Sequence, residues 1–198
     1  MLKKAVWIAL SWIGISTACY AVPATGNKAD IQFNVSSVIY QDGEVDDAES
    51  FFGRWVYNFN DYLAIGVEGG FYTDSGIDEV GVDDAGELTD IATVFGDLIA
   101  RYPTGENCPV LPYVVAGVGG VFWGASAEVA GVDLNVDDAF AVKVGGGVDW
   151  FIDDHWAVNF EGAYIFTGEE VIATGPGDTT GHSDLNHVVF GVVVKYLF

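Results

Sequence analysis

Apolar residues alternate with small or polar ones along most of the chain, in stretches of about ten residues separated by Gly- and Asp-rich segments. A period of two marks a strand with unlike faces. It predicts eight strands, over 31–40, 51–59, 63–72, 91–102, 111–123, 139–151, 155–166 and 185–198. In 139–151 one face carries Phe140, Val142, Val144, Gly146, Val148 and Trp150, and the other Ala141, Lys143, Gly145, Gly147 and Asp149. In 155–166, Trp156, Val158, Phe160, Gly162, Tyr164 and Phe166 oppose His155, Ala157, Asn159, Glu161 and Ala163. The last strand sets Val188, Phe190, Val192, Val194, Tyr196 and Phe198 against His187, Val189, Gly191, Val193 and Lys195. Segment 111–123 is apolar on both faces, so its register stays open.

The breaks alternate in length. Those at 60–62, 103–110 and 152–154 are short, whereas 41–50, 73–90, 124–138 and 167–184 run from ten to eighteen residues. Short turns alternating with long loops suit an antiparallel up-and-down barrel of even strand number, with both termini on the short-turn side.

Charge decides which face looks inward. Eight strand residues are charged: Arg54, Glu68, Asp97, Arg101, Lys143, Asp149, Glu161 and Lys195. Each lies on the face poorer in large apolar side chains. A soluble barrel would cover its outside with many charges. Here that face is otherwise mostly Gly, Ala, Ser and Asn, small enough to fill the interior of an eight-stranded barrel. Four positive and four negative groups can pair there, as buried charges require. Turned into lipid, Arg54 and Lys143 would cost roughly 2–4 kcal/mol each. The expectation is therefore an all-β, eight-stranded antiparallel transmembrane β-barrel with short periplasmic turns and long extracellular loops. Arg54 and Glu68 are equally spaced about residue 61, and Lys143 and Glu161 about residue 152, so each pair is expected to meet across its hairpin. Tyr57, Phe59, Tyr102, Tyr113, Trp150, Trp156, Tyr196 and Phe198 crowd the short-turn end, and most are expected to face outward as an interfacial girdle.

Composition agrees. The chain is 51% apolar with a mean hydropathy of +0.31, yet from Val22 onward it has no apolar run long enough for a membrane helix. Residues 1–21 read as a cleaved secretory signal. Lys3 and Lys4 precede the apolar stretch Ala5–Ala18, and Cys19-Tyr20-Ala21 supplies small residues at a cleavage spacing. The mature domain is then 22–198, with Cys108 as its one thiol and no internal disulfide. A lipoprotein cut before Cys19 is the rival reading, with Ser16 where that signal wants Leu. An uncleaved buried helix using Trp7 and Trp12 is a further alternative.

These features resemble the small OmpA/OmpX-type outer-membrane barrels, the outer membrane protein beta-barrel domain family, over 30–198. The sharpest match is the terminal strand, ending in Phe198 with Tyr196, Val194, Val192 and Phe190 at alternate positions. The resemblance implies location in a Gram-negative outer membrane, contact with its lipid and lipopolysaccharide, and reading of the Phe198 terminus by the barrel-assembly machinery. It also implies anchoring, adhesive, protective or envelope-structural roles, and seldom catalysis.

The four long loops hold twenty of the chain's twenty-nine acids and no Lys or Arg. That disfavours nucleic acid and other polyanions. The plain reading is a solvated, salt-tolerant surface. The sharper one is weak Ca2+ or Mg2+ binding by hard carboxylate oxygens, with Asp74, Asp78, Asp83 and Asp84 as candidates, although no EF-hand spacing is present. No other cofactor is expected. His182, Ser183, Asp184 and His187 include triad residue types, but their spacing does not match lipid A deacylases, so a loop Ser-Asp and a lumen His are expected. The functional expectation is a non-enzymatic barrel with acidic outer loops. A narrow OmpW-like channel for hydrophobic or cationic solutes, or a lipid-modifying enzyme, are the alternatives.

Overall fold

The computed structural model describes residues 25–40, 48–73, 75–76, 87–88, 91–104, 109–123, 126–129, 132–135, 138–167, 170–174, 180–184 and 186–198. Eight strands form a closed antiparallel barrel: β1 (Lys28–Tyr40), β2 (Ala48–Asn58), β3 (Leu63–Thr73), β4 (Ile91–Arg101), β5 (Val110–Trp123), β6 (Ala139–Phe151), β7 (Trp156–Thr167) and β8 (His187–Leu197). Each strand pairs with its chain neighbours, and β1 closes on β8, pairing from Asp30↔Leu197 to Tyr40↔His187. No strand edge is left unpaired in the wall, which is what a bilayer demands.

The pleat puts the charged face inside. In β4 every second residue from Ile91 to Arg101 is buried and the others are exposed. Lys143 is 2% exposed, whereas Phe140 on the opposite face of the same strand is 66% exposed. β5 acquires its register from its neighbour. Leu111, Tyr113, Val115 and Val121 are buried, and Val114, Val118 and Phe122 face outward. Gly117 and Gly119 fall inside, opposite Asp97 and Phe95 of β4, where a Cβ would collide with either side chain. Glycine there makes room for the larger groups of the next strand.

Two hairpin turns share one construction. Asn60 Oδ1 accepts the N–H groups of Tyr62 and Leu63, both at 2.8 Å, and the Phe59 N–H donates to the Leu63 carbonyl at 3.0 Å. Asp153 Oδ1 likewise accepts from His155 and Trp156 at 2.8 Å, and Ile152 donates to the Trp156 carbonyl at 2.8 Å. The first turn is centred on residue 61 and pairs Arg54 with Glu68, as the spacing predicts. The second is centred on residue 154, which corrects the expected Lys143–Glu161 pairing: Lys143 faces Ile165, and Glu161 faces Gly147. The cause is that Asp153 caps a turn reaching to Trp156, which moves the centre two residues along. The pairing thereby moves by four residues, an even number that preserves faces. His155, placed by the alternation on the inner face of a strand, instead lies exposed in the turn, its ring stacked on Tyr196 at 5.9 Å.

Aromatics gather at the short-turn end as expected. Tyr102, Trp150, Trp156 and Phe198 are exposed there, and Tyr196 contacts both Trp156 and Phe198 edge-on. Tyr113 is the exception, being buried in the lumen. At the other end the long connections are not wholly irregular. Strands Ser126–Val129, Val132–Asn135, Glu170–Thr174 and Thr180–Asp184 form a four-stranded sheet joining two of the loops, and Ser75–Gly76 pairs with Glu87–Leu88. β-favouring residues such as Val129, Val132, Val171 and Ile172 lie in these strands despite the surrounding acid.

Candidate functional site

All eight charged side chains expected in the lumen are there and buried, together with Asp30, making four cations and five carboxylates. Asp30 was hidden because β1 begins at Lys28, ahead of the predicted boundary. Carrying the alternation of Gln32 back two residues would have found it.

The charges form two groups. Arg54 is the hub of the first. Its Nε donates to Glu68 at 2.7 Å, and its two terminal nitrogens bind the two oxygens of Glu161 at 2.7 and 2.6 Å. Asp97 Oδ2 lies 3.1 Å from Arg54 Nε, and Gln32 Oε1 accepts a further bond at 3.2 Å. Lys143 joins the same group, reaching Glu68 at 2.6 Å and Asp97 at 2.9 Å, with its ammonium 5.0 Å from the Phe95 ring centroid. This bidentate arginine geometry is among the stronger forms of charge-assisted bonding.

The second group lies nearer the short turns. Lys195 contacts Asp149 at 2.9 Å and Asp30 at 3.4 Å, while Arg101 lies 3.6 Å from Asp30 and donates to Asn58. Tyr113 bridges the groups: its hydroxyl donates to Glu161 and accepts from Asn159 at 3.0 Å. The open register of 111–123 concealed this role.

Together these side chains span the barrel from β1 to β8. Two gaps beside Arg54, one against Asn34 and Val193 and the other against Ile99 and Arg101, leave no room for a water molecule. Nearer the long loops, His187 is fully buried, hydrogen-bonded to Tyr72 at 2.9 Å, and packed against the Tyr40 ring. His182, Ser183 and Asp184 lie on the loop strand that pairs with Glu170–Thr174. Asp74, Asp78, Asp83 and Asp84, the candidate cation ligands, lie outside the described residues, as do 1–21 and Cys108. Among the described residues no cluster of His, Cys, Asp and Glu is arranged to hold a metal ion.

The folded wall is similar to several solved outer-membrane proteins. OprG of Pseudomonas aeruginosa superposes with a TM-score of 0.63 at 18% identity, covering 89% of this chain and 98% of that one. Neisserial surface protein A gives 0.55 at 16% identity, covering 88% and 99%. Outer membrane protein W of E. coli gives 0.51 at 21% identity, covering 87% and 98%. At these identities the likeness is one of fold. An uncharacterized outer-membrane protein of Sinorhizobium fredii is 31% identical over 90 residues, which span 44% of this chain and 39% of that relative. Residues 7–198 match the outer membrane protein beta-barrel domain. An apolar exterior, an ion-paired interior and a match over nearly the whole length agree: the chain belongs to the outer membrane protein beta-barrel family and resides in the outer membrane.

Proposed function

We propose that this chain is a non-enzymatic outer-membrane barrel with a closed lumen, whose acidic loops act at the cell surface in an envelope-structural, protective or adhesive role. The observation that carries the reading is the Arg54–Glu68–Asp97–Lys143–Glu161 cluster, which crosses the lumen with gaps too small for water beside it. Such a plug suits a wall element better than a pore. In this reading the short turns face the periplasm, and the loops meet lipopolysaccharide phosphates through divalent cations. Planar-bilayer recording tests it: the wild-type barrel is expected to show no stepwise conductance, and regular ion-sized steps would overturn it. A narrow channel is the second reading. The excess of one lumen carboxylate, five against four cations, would make such a path cation-preferring.

A further inference from the structure

The four-stranded loop sheet repeats the strand order of one half of the wall. Ser126–Val129 and Val132–Asn135 stand between β5 and β6, and Glu170–Thr174 and Thr180–Asp184 between β7 and β8, each two or three residues from the wall strand it adjoins. Across the sheet they follow the order β5, β6, β7, β8 of the barrel. In the barrel, β4 and β1 cover the outer sides of β5 and β8. In the loop sheet, among the described residues, Ser126–Val129 pairs only with Val132–Asn135, and Thr180–Asp184 only with Glu170–Thr174. The sheet therefore has two open edges, and an open edge presents a row of N–H and C=O groups ready to pair. Register also gives it unlike faces. Glu128 pairs with Asp133, Asp133 with Thr174 and Thr174 with Thr180, so these four positions share a face. Alternation adds Glu170 and Asp184, which pair with each other. The opposite face carries Ala127, Val129, Val132, Leu134, Val171 and Ala173. No Lys or Arg occurs in 124–138 or 167–184.

We propose that the Ser126–Val129 edge binds an extended peptide segment in which cationic residues alternate with apolar ones, added to the sheet as a further strand. Backbone pairing supplies the attachment, as in other strand additions, and the two faces supply the selection. A strand laid beside Ser126–Val129 has every second residue on the face of Glu128 and the rest on the face of Ala127 and Val129. Lys or Arg suits the first set, because opposite charges at facing positions stabilise a sheet. Apolar residues suit the second. The Thr180–Asp184 edge lacks this contrast, since Gly181 and Ser183 occupy its second face. A second copy of the chain is a poor occupant, because each carries a net charge of −22 and the two would meet acid to acid. The proposal rests on the reading of these loops as the adhesive, surface-facing part of the protein.

Fluorescence anisotropy on the barrel in lipid nanodiscs tests it, using labelled peptides that alternate Lys and Val. A block isomer, all Lys and then all Val, has the same composition and charge. Two N-methylated forms, one modified at every Lys and the other at every Val, keep the charge and each lose one row of N–H donors. The alternating peptide is expected to bind about tenfold more tightly than the block isomer, the equivalent of one or two net hydrogen bonds. One N-methylated form should bind and the other fail, because only one row of a strand's donors faces its neighbour. Glu128→Gln should weaken binding by up to about fivefold, the scale of one cross-strand charge pair, and Asp184→Asn at the other edge should leave it unchanged. Equal affinity for the alternating and block peptides, equal behaviour of the two N-methylated forms, or a larger loss with Asp184→Asn than with Glu128→Gln would each overturn the proposal. Barrel dimers that exclude the peptide would do the same. The peptide comparisons use wild-type protein, so none of them waits on a variant that folds. Stepwise bilayer conductance would count against the closed lumen and leave these affinities untouched, which keeps the two failures apart.

Discussion

At the residue scale, the lumen illustrates how a buried charge takes its meaning from the number of its partners. Arg54 serves three carboxylates, but they do not depend on it equally. Glu68 and Asp97 also hold Lys143, whereas Glu161 has Arg54 as its cation and Tyr113 as a neutral donor. Arg54→Ala is therefore expected to destabilise by about 3–5 kcal/mol, the scale for stranding a buried charge. Removing Glu161 as well should recover more of that loss than removing Glu68. Double-mutant cycles from denaturant unfolding in bilayers check this, and equal recovery would contradict the partner assignment. Glycines divide in the same way. Gly117→Ala drives a Cβ into Asp97 and should cost about 1–3 kcal/mol, as overpacking does. Gly53→Ala enters open space and should be neutral or stabilising by about 0.5–1 kcal/mol, since a strand glycine carries an entropy penalty. Melting temperatures of the two variants, moving in opposite directions or by clearly unequal amounts, are the check.

At the element scale, the turns set which residues meet. The two turns are capped by different side chains, Asn60 in the first and Asp153 in the second. Two backbone N–H groups, from His155 and Trp156, hold the Asp153 carboxyl below its ordinary range. A depressed folded-state value means the cap contributes stability that is fully present above the unfolded pKa and lost as pH falls through the folded one. Asn keeps the acceptor without titrating. Asp153→Asn should thus leave the fold intact at neutral pH and flatten the acid-side decline in stability, whereas Asp153→Ala should lower stability at neutral pH. Unfolding midpoints between neutral and acid pH measure this, and parallel curves for wild type and Asp153→Asn would remove the cap from the account. The same turn explains the Lys143–Glu161 correction. Alternation specifies face, but a pairing shift by an even number of residues, four here, is invisible to it.

For the whole molecule, the distribution of charge is the dominant feature. The net charge is −22, while the nine buried lumen charges nearly cancel. Acid is concentrated in the long loops, where backbone pairing sets Glu128 opposite Asp133 and Glu170 opposite Asp184. Like charges at facing positions weaken a sheet. Divalent cations relieve this by bridging, whereas monovalent salt only screens it. Millimolar calcium in lipopolysaccharide-containing membranes is therefore expected to raise the melting temperature more than sodium at equal ionic strength. Saturation at about a hundred times the dissociation constant would add roughly 2.7 kcal/mol per site. Neutralising Asp74, Asp78, Asp83 and Asp84 to Asn should reduce the difference. Coincident sodium and calcium curves would leave the loops as a solvated acidic surface.

The sequence by itself determined the class of this protein, because the forces that decide class act on each strand separately. Period-two alternation, the length of each segment and the exclusion of charge from hydrocarbon assign the faces of every strand except β5 without reference to its neighbours. That is why alternation by itself puts Lys143, Asp149 and Glu161 inside, whatever their pairing. Beyond the Arg54–Glu68 pair across the first hairpin, tertiary structure decided which charges meet. Lys143 finds Glu68 and Asp97 on strands far from it in the chain, Glu161 finds Arg54, and the inward Tyr113 lies against Gly147 of β6, where a Cβ would meet its ring. Closure of the barrel brings these groups together across the lumen, and no local pattern encodes a distance across a closed wall.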